Sequence, residues 1–167
     1  AEFIGCKHVI STNTGTDALI LALKAIRVGP GDEVISVPIT FFATIGAIVA
    51  VGARPVFVDI DDRYQIDIDH IQKAITPRPK AILPVHWGGA SPDMPAIMTI
   101  ADDFGLKVVE DACMAPGGDI HGKHPGTYGH ANAWSMHPLK PLNVMGDGGM
   151  VSTDNDNLAE WMRMYRN

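Results

Sequence analysis

Lys140 follows the string Ser135-Met136-His137-Pro138-Leu139 and precedes the glycine-rich run Gly146-Asp147-Gly148-Gly149. A lysine at such a turn is a nucleophilic amine when it faces a ligand, and a solvated surface charge otherwise, which is the commoner fate. Its neighbours favour the first. Ser135 offers a hydroxyl, Pro138 stiffens the turn, and glycines let backbone approach a bound group closely. A second chemical signal is Val108-Val109-Glu110-Asp111-Ala112, an apolar strand ending in two carboxylates. Strand side chains alternate, so only one of Glu110 and Asp111 faces a given side. A buried carboxylate needs a cationic partner, and a protonated ring nitrogen would serve; the plainer role for Asp111 is to cap the following turn.

A third signal is Thr14-Gly15-Thr16-Asp17-Ala18-Leu19, which reads as a strand-to-helix turn. Amides at the helix start, with the Thr16 hydroxyl, form a ready site for a phosphate, although plain N-capping by Thr14 or Thr16 is the simpler use. With only Gly15 in place, the turn lacks the three glycines of a dinucleotide fingerprint. Fourth, Pro38-Ile39-Thr40-Phe41-Phe42-Ala43-Thr44 sets two aromatics at the end of a strand. One can stack on a flat heteroaromatic ligand; core packing is the ordinary fate of both and is expected for Phe42.

These residues need a frame. Short apolar runs recur at Lys7–Thr12, Glu33–Pro38, Pro55–Ile60, Lys80–Val85, Lys107–Asp111, Ala133–Met136 and Gly149–Thr153. Helix-length stretches lie between the earlier ones, at Thr16–Val28, Thr40–Val51, Asp67–Ile75 and Asp93–Phe104, with another at Asn155–Asn167. Alternation of strand and helix predicts an α/β domain whose mainly parallel sheet is covered on both faces. The punctuators Gly29-Pro30-Gly31-Asp32, Gly52 and Gly105 are expected to end the first, second and fourth helices. From Ala115 to His130 the chain is rich in Gly, Pro and His and reads as an irregular loop or short hairpin at the sheet edge, where ligands commonly sit.

Composition narrows the function classes. A chain of 167 residues with 46% hydrophobic side chains buries one sizeable core without staples. Its formal charge of −6, with scattered basic residues, argues against a nucleic-acid partner. Two cysteines, Cys6 and Cys113, do not make a disulfide framework, and no apolar stretch is long enough to span a membrane. A cytoplasmic, reducing setting is the expectation. The first residues lack a Met and the last run out mid-helix, so the chain is expected to be a segment of a longer protein.

Taken in order and at these separations, the four motifs resemble the DegT/DnrJ/EryC1/StrS sugar aminotransferases, pyridoxal-phosphate (PLP) enzymes of fold type I. The resemblance spans essentially the whole chain and implies that residues 1–167 form the large, cofactor-binding domain, a mainly parallel mixed sheet sandwiched by helices. It implies that Lys140 is the Schiff-base lysine, that Asp111 pairs with the pyridine nitrogen, and that Ser135, Thr16 and Asp17 hold the phosphate. Phe41 would stack on the ring. Met114 stands where members usually carry His or Gln, so a hydrogen bond to the cofactor is replaced by thioether contact. The implied reaction moves an amino group from glutamate or a similar donor to a keto-sugar on a nucleotide or phosphate, in a homodimer. Members are roughly twice as long and add a small C-terminal domain.

His121, His124 and His130 lie close in sequence but lack zinc-ligand spacing or companion cysteines, so no metal is expected and they read as loop histidines. Cys113 reads as a small buried hydrophobe rather than a nucleophile. Sugar dehydration by relatives that carry His for the lysine is the near alternative, and Lys140 argues for transfer instead. A non-catalytic scaffold fragment and a nicotinamide oxidoreductase are the alternatives from other classes.

Overall fold

A computed structural model describes residues 1–166. Among these residues seven strands are formed: β1 (His8–Thr12), β2 (Glu33–Ser36), β3 (Arg54–Phe57), β4 (Pro79–Ile82), β5 (Lys107–Val108), β6 (Asn132–Ser135) and β7 (Gly149–Thr153). Five helices accompany them: α1 (Gly15–Ala25), α2 (Phe42–Ala50), α3 (Ile68–Ala74), α4 (Met94–Asp103) and α5 (Asp156–Tyr165). Every strand and helix expected from the sequence is present, with ends shifted or shortened by a few residues except in β7. The one residue of the expected last helix that lies outside the described residues is Asn167.

Strands β3-β2-β4-β5 run parallel, and β1-β7-β6 form an antiparallel group. Backbone bonds past the end of β5 join the two. The Asp111 amide donates to Pro84 O at 2.9 Å, Ala133 N donates to Glu110 O at 2.8 Å, and Ala112 N donates to Ala133 O at 2.9 Å. The result is one mixed sheet in the order β3-β2-β4-β5-β6-β7-β1, with only β7 reversed among the described strands. Successive residues Val34, Ile35 and Ser36 are all fully buried, as are Ala81, Ile82 and Leu83. Because neighbouring side chains face opposite ways, both faces must be covered. Helices α1, α2 and α5 pack as one group and α3 with α4 as another.

Helix ends follow local chemistry. The Thr14 hydroxyl accepts from Asp17 N at the start of α1, and Asp67, Asp93 and Asn155 cap α3, α4 and α5 in the same manner. Gly52 and Gly105, at φ 85° and 66°, close α2 and α4 in the left-handed conformation as expected. The first helix departs from expectation. It ends at Ala25, and the left-handed residue is Arg27, at φ 63°, rather than Gly29. Val28 N reaches back to Leu23 O and Arg27 N to Lys24 O, so the carbonyls of the last turn are satisfied before the glycines are reached.

Candidate active site

The carboxyl ends of β1, β2, β4, β5 and β6 open onto one cavity of about 480 Å³. Thr16, Phe41, Asp111, Met114, Ser135 and Lys140 all line it, although they come from four separate stretches of chain. This is where a parallel sheet presents ligand-binding groups.

Alternation along the β5 extension separates the two carboxylates. Asp111 faces the cavity and is 6% exposed. Its Oδ2 accepts from Thr44 Oγ at 2.7 Å and its Oδ1 from the Cys113 amide at 3.2 Å. Its backbone is tied to β4 on both sides, through Pro84 O and His86 N. Glu110 points the other way and is fully buried. It accepts from the amides of Gly126, Tyr128 and Gly129 at 2.8, 2.7 and 2.6 Å, and its Oε2 lies 2.8 Å from His86 Nε2. Asp111 is thus the carboxylate available to a ligand, whereas Glu110 anchors the Gly-rich loop after β5.

Lys140 reaches over the aromatic wall, its Nζ 5.8 Å from the centroid of the Phe41 ring. The turn is held from inside: Lys140 N donates to His137 O at 2.8 Å, and Asn143 Nδ2 donates to Lys140 O at 3.0 Å. Phe41 is 54% exposed and leaves a ring face for a ligand. Phe42 contradicts the core-packing expectation. It is 75% exposed, because it occupies the first turn of α2 on the outward side, with its ring centroid 4.4 Å from that of Phe41.

The opposite end of the cavity suits an anion. Gly15 opens α1 directly against Ser135, so closely that a Cβ on Gly15 would stand 2.5 Å from Ser135 Cβ. Among the described residues the amides of Gly15 and Thr16 have no hydrogen-bond partner, and Ser135 Oγ accepts only from His137 N, at 3.3 Å, leaving its proton to donate. Two free amides at a helix N-terminus beside a hydroxyl make a phosphate cradle. Asp17, the next residue, has a partner of its own. Its amide already donates to Thr14 Oγ at 3.0 Å, and its side chain lies in a separate cleft with Asn13 and Arg166. The N-cap role weighed for Thr14 therefore uses the amide assigned to the phosphate.

Burial pushes the Cys113 thiol well up, and the neighbouring Asp111 carboxylate adds to the shift, so this cysteine stays protonated at the cavity wall. Met114 is among the residues that line the cavity. The loop histidines hold backbone: His124 Nε2 accepts from Gly117 N at 2.8 Å, and His130 Nδ1 accepts from Val108 N at 3.1 Å. The glycines after Lys140 also differ from expectation. Gly149 makes room for the Thr14 carbonyl rather than for a ligand, since a Cβ there would stand 2.2 Å from Thr14 O.

Sequence reasoning missed Thr40, Thr44 and Trp87, which complete the site. Only the two threonines left a signal, an i, i+4 pair of hydroxyls at a helix start that places both on one face.

Comparison with known proteins places these features in a family. The chain is 49% identical over its full length to the UDP-N-acetyl-3-dehydro-alpha-D-glucosamine 3-aminotransferase of Acidithiobacillus ferrooxidans, of which it covers 46%. It is 44% identical over 99% of its length to the dTDP-3-amino-3,4,6-trideoxy-alpha-D-glucose transaminase of Micromonospora megalomicea, covering 45% of that protein. Among solved structures, NtdA of Bacillus subtilis with bound cofactor PMP superposes with a TM-score of 0.89 at 41% identity, over 95% of this chain and 36% of that one. The chain thus spans about half the length of the curated relatives it matches. Residues 1–167 all fall within the match to the model of the DegT/DnrJ/EryC1/StrS aminotransferases, and the chain belongs to that family.

Proposed function

We propose that this chain is the cofactor-binding domain of a PLP-dependent aminotransferase that passes an amino group from an amino acid, glutamate or a close analogue, to a keto-sugar carried on a nucleotide. The observation that carries this reading is the meeting, at one cavity, of an amine, a buried carboxylate and an anion cradle from distant parts of the chain. The donor set suits pyridoxal phosphate at each end. The free amides of Gly15 and Thr16 with the Ser135 hydroxyl match a phosphate, Asp111 matches a protonated ring nitrogen, and Phe41 offers a flat face.

When bound, the cofactor supplies an aldehyde that takes up amines and a ring that accepts an electron pair. Lys140 would be the amine that holds the cofactor's aldehyde once it is bound, and when released its amine would be placed to carry a proton for the donor's α-carbon. Asp111 keeps a proton on the ring nitrogen, with its carboxylate already held by Thr44 and Cys113 N. Ser135 and the start of α1 fix the phosphate, so the reacting carbon stays in reach of Lys140. Met114 and the protonated Cys113 supply apolar wall without competing for the aldehyde.

The acceptor class rests on the relatives, whose names specify amino-sugar chemistry on UDP- and dTDP-linked sugars. A homodimer in the cytoplasm belongs to the same proposal. In its support, Phe42 and Leu139 at the cavity and Leu142 and Met145 in the segment after Lys140 are exposed apolar side chains, and burial against a second copy would remove them from water. No helix among the described residues is long and apolar enough to cross a membrane.

The test is Asp111→Asn in the PLP-loaded protein, followed by single-turnover mixing with glutamate. Cofactor should still bind, while conversion to the amine form slows by at least about a hundredfold, because an amide does not stabilise the ring-nitrogen charge. Conversion at the wild-type rate would remove Asp111 from this role.

A further inference from the structure

Thr44 is fully buried on the first turn of α2, yet its side chain is polar and points at Asp111. Its hydroxyl lies 2.7 Å from Asp111 Oδ2 and 2.7 Å from Thr40 Oγ. A hydroxyl has one proton to give, and an ionised carboxylate only accepts. The direction of the chain is therefore fixed: Thr44 donates to Asp111, so Thr40 must donate to Thr44. Thr40 lies at the cavity wall, which connects the buried carboxylate to the ligand-facing surface through two hydroxyls in series. The second carboxylate oxygen is held by the Cys113 amide, so both oxygens are constrained.

From this geometry we propose that Thr44 is the positioning residue for Asp111, with Thr40 orienting its hydroxyl. The proposal rests on Asp111 being the ring-nitrogen partner and deepens that reading. A carboxylate side chain retains rotation about χ2 unless its oxygens are tied, and a small misplacement of a group that acts in the transition state lowers turnover more than binding. The backbone bonds of Asp111 to Pro84 and His86 fix where the side chain starts; the Thr44 hydroxyl fixes how its plane lies.

The experiment compares Thr44→Val, Thr44→Ser, Thr40→Val and Asp111→Asn in the PLP-loaded protein. Three readouts are taken: thermal midpoint without cofactor, induced circular dichroism of the bound cofactor, and the single-turnover rate and half-saturation with glutamate. Valine matches threonine in shape but lacks the hydroxyl. Thr44→Val is expected to weaken the induced dichroism and slow the turnover about tenfold, the scale of one lost hydrogen bond to a charged group, with half-saturation unchanged. Thr44→Ser should restore both signals. Thr40→Val should shift both in the same direction by less. Should Thr44→Val destroy the fold, Thr44→Ser and the partly exposed Thr40→Val still decide the matter. Wild-type dichroism and rate in Thr44→Val, alongside a defective Asp111→Asn, would overturn the positioning role alone. Failure of Thr44→Ser to rescue would overturn it as well, by assigning the defect to shape. A wild-type Asp111→Asn would overturn the parent reading and the positioning role with it.

Discussion

Glu110 and Asp111 are adjacent carboxylates with unrelated tasks, divided by the alternation of side chains along one strand. Glu110 gathers three amides and His86 in the interior, while Asp111 turns to the cavity and keeps lone pairs for a ligand. Gly15 has an equally specific task. Any side chain there would collide with Ser135, which predicts that Gly15→Ala costs about 1–3 kcal/mol by overpacking and weakens cofactor binding about tenfold as the helix start moves off the serine. Urea unfolding together with a cofactor titration checks this; unchanged values in both would mean the close approach is not needed. That Lys140, Asp111, Ser135, Thr16, Phe41 and Met114 share one cavity was legible because they lie in an ordered set of motifs that follow strands. The bond from the Asp17 amide to Thr14 was not legible, because the sequence does not tell which helix-start amide its own N-cap engages. Phe42 was misread because hydrophobicity alone does not reveal which side of a helix start faces solvent.

Elements were readable to within a few residues because apolar periodicity and caps agree. Strand Gly149–Thr153 was placed at both ends, Ala133–Met136 was displaced by one residue, and the other strands were overdrawn, chiefly at their carboxyl ends. Lys107–Asp111 illustrates the point: the ladder of β5 stops at Val108, while isolated pairings carry the chain on to Asp111. The end of α1 was not readable, since the glycine-rich sequence after it suggests a stop that Arg27 already provides. A non-glycine residue at positive φ carries strain. Arg27 is exposed, so Arg27→Gly removes that strain without opening a cavity, and a gain of about 0.5–1 kcal/mol is expected after the extra freedom of the unfolded chain is counted. Equilibrium urea unfolding measures it, and a loss of stability would show that the Arg27 side chain contributes more than its backbone costs.

At the scale of the whole molecule, the sheet order explains how distant residues become neighbours. Strand β1 and strand β6 run in the same direction on either side of β7, so the turn after β1 and the turn after β6 reach the same edge and Gly15 meets Ser135. The strand order was not legible in the sequence, because the long-range pairings of β1 with β7 and β6 with β7 leave no local pattern. What the order creates is one cavity shared by the start of α1, the Ser135 hydroxyl and Lys140. The central claim is that Lys140 is the amine that holds pyridoxal phosphate. The direct measurement is to load the purified protein with pyridoxal phosphate, reduce it with borohydride and map the modified peptide by mass. A pyridoxyl group on Lys140, and its loss in Lys140→Arg, is the predicted result; a modification carried by another of the chain's lysines, or undiminished in Lys140→Arg, would contradict the account.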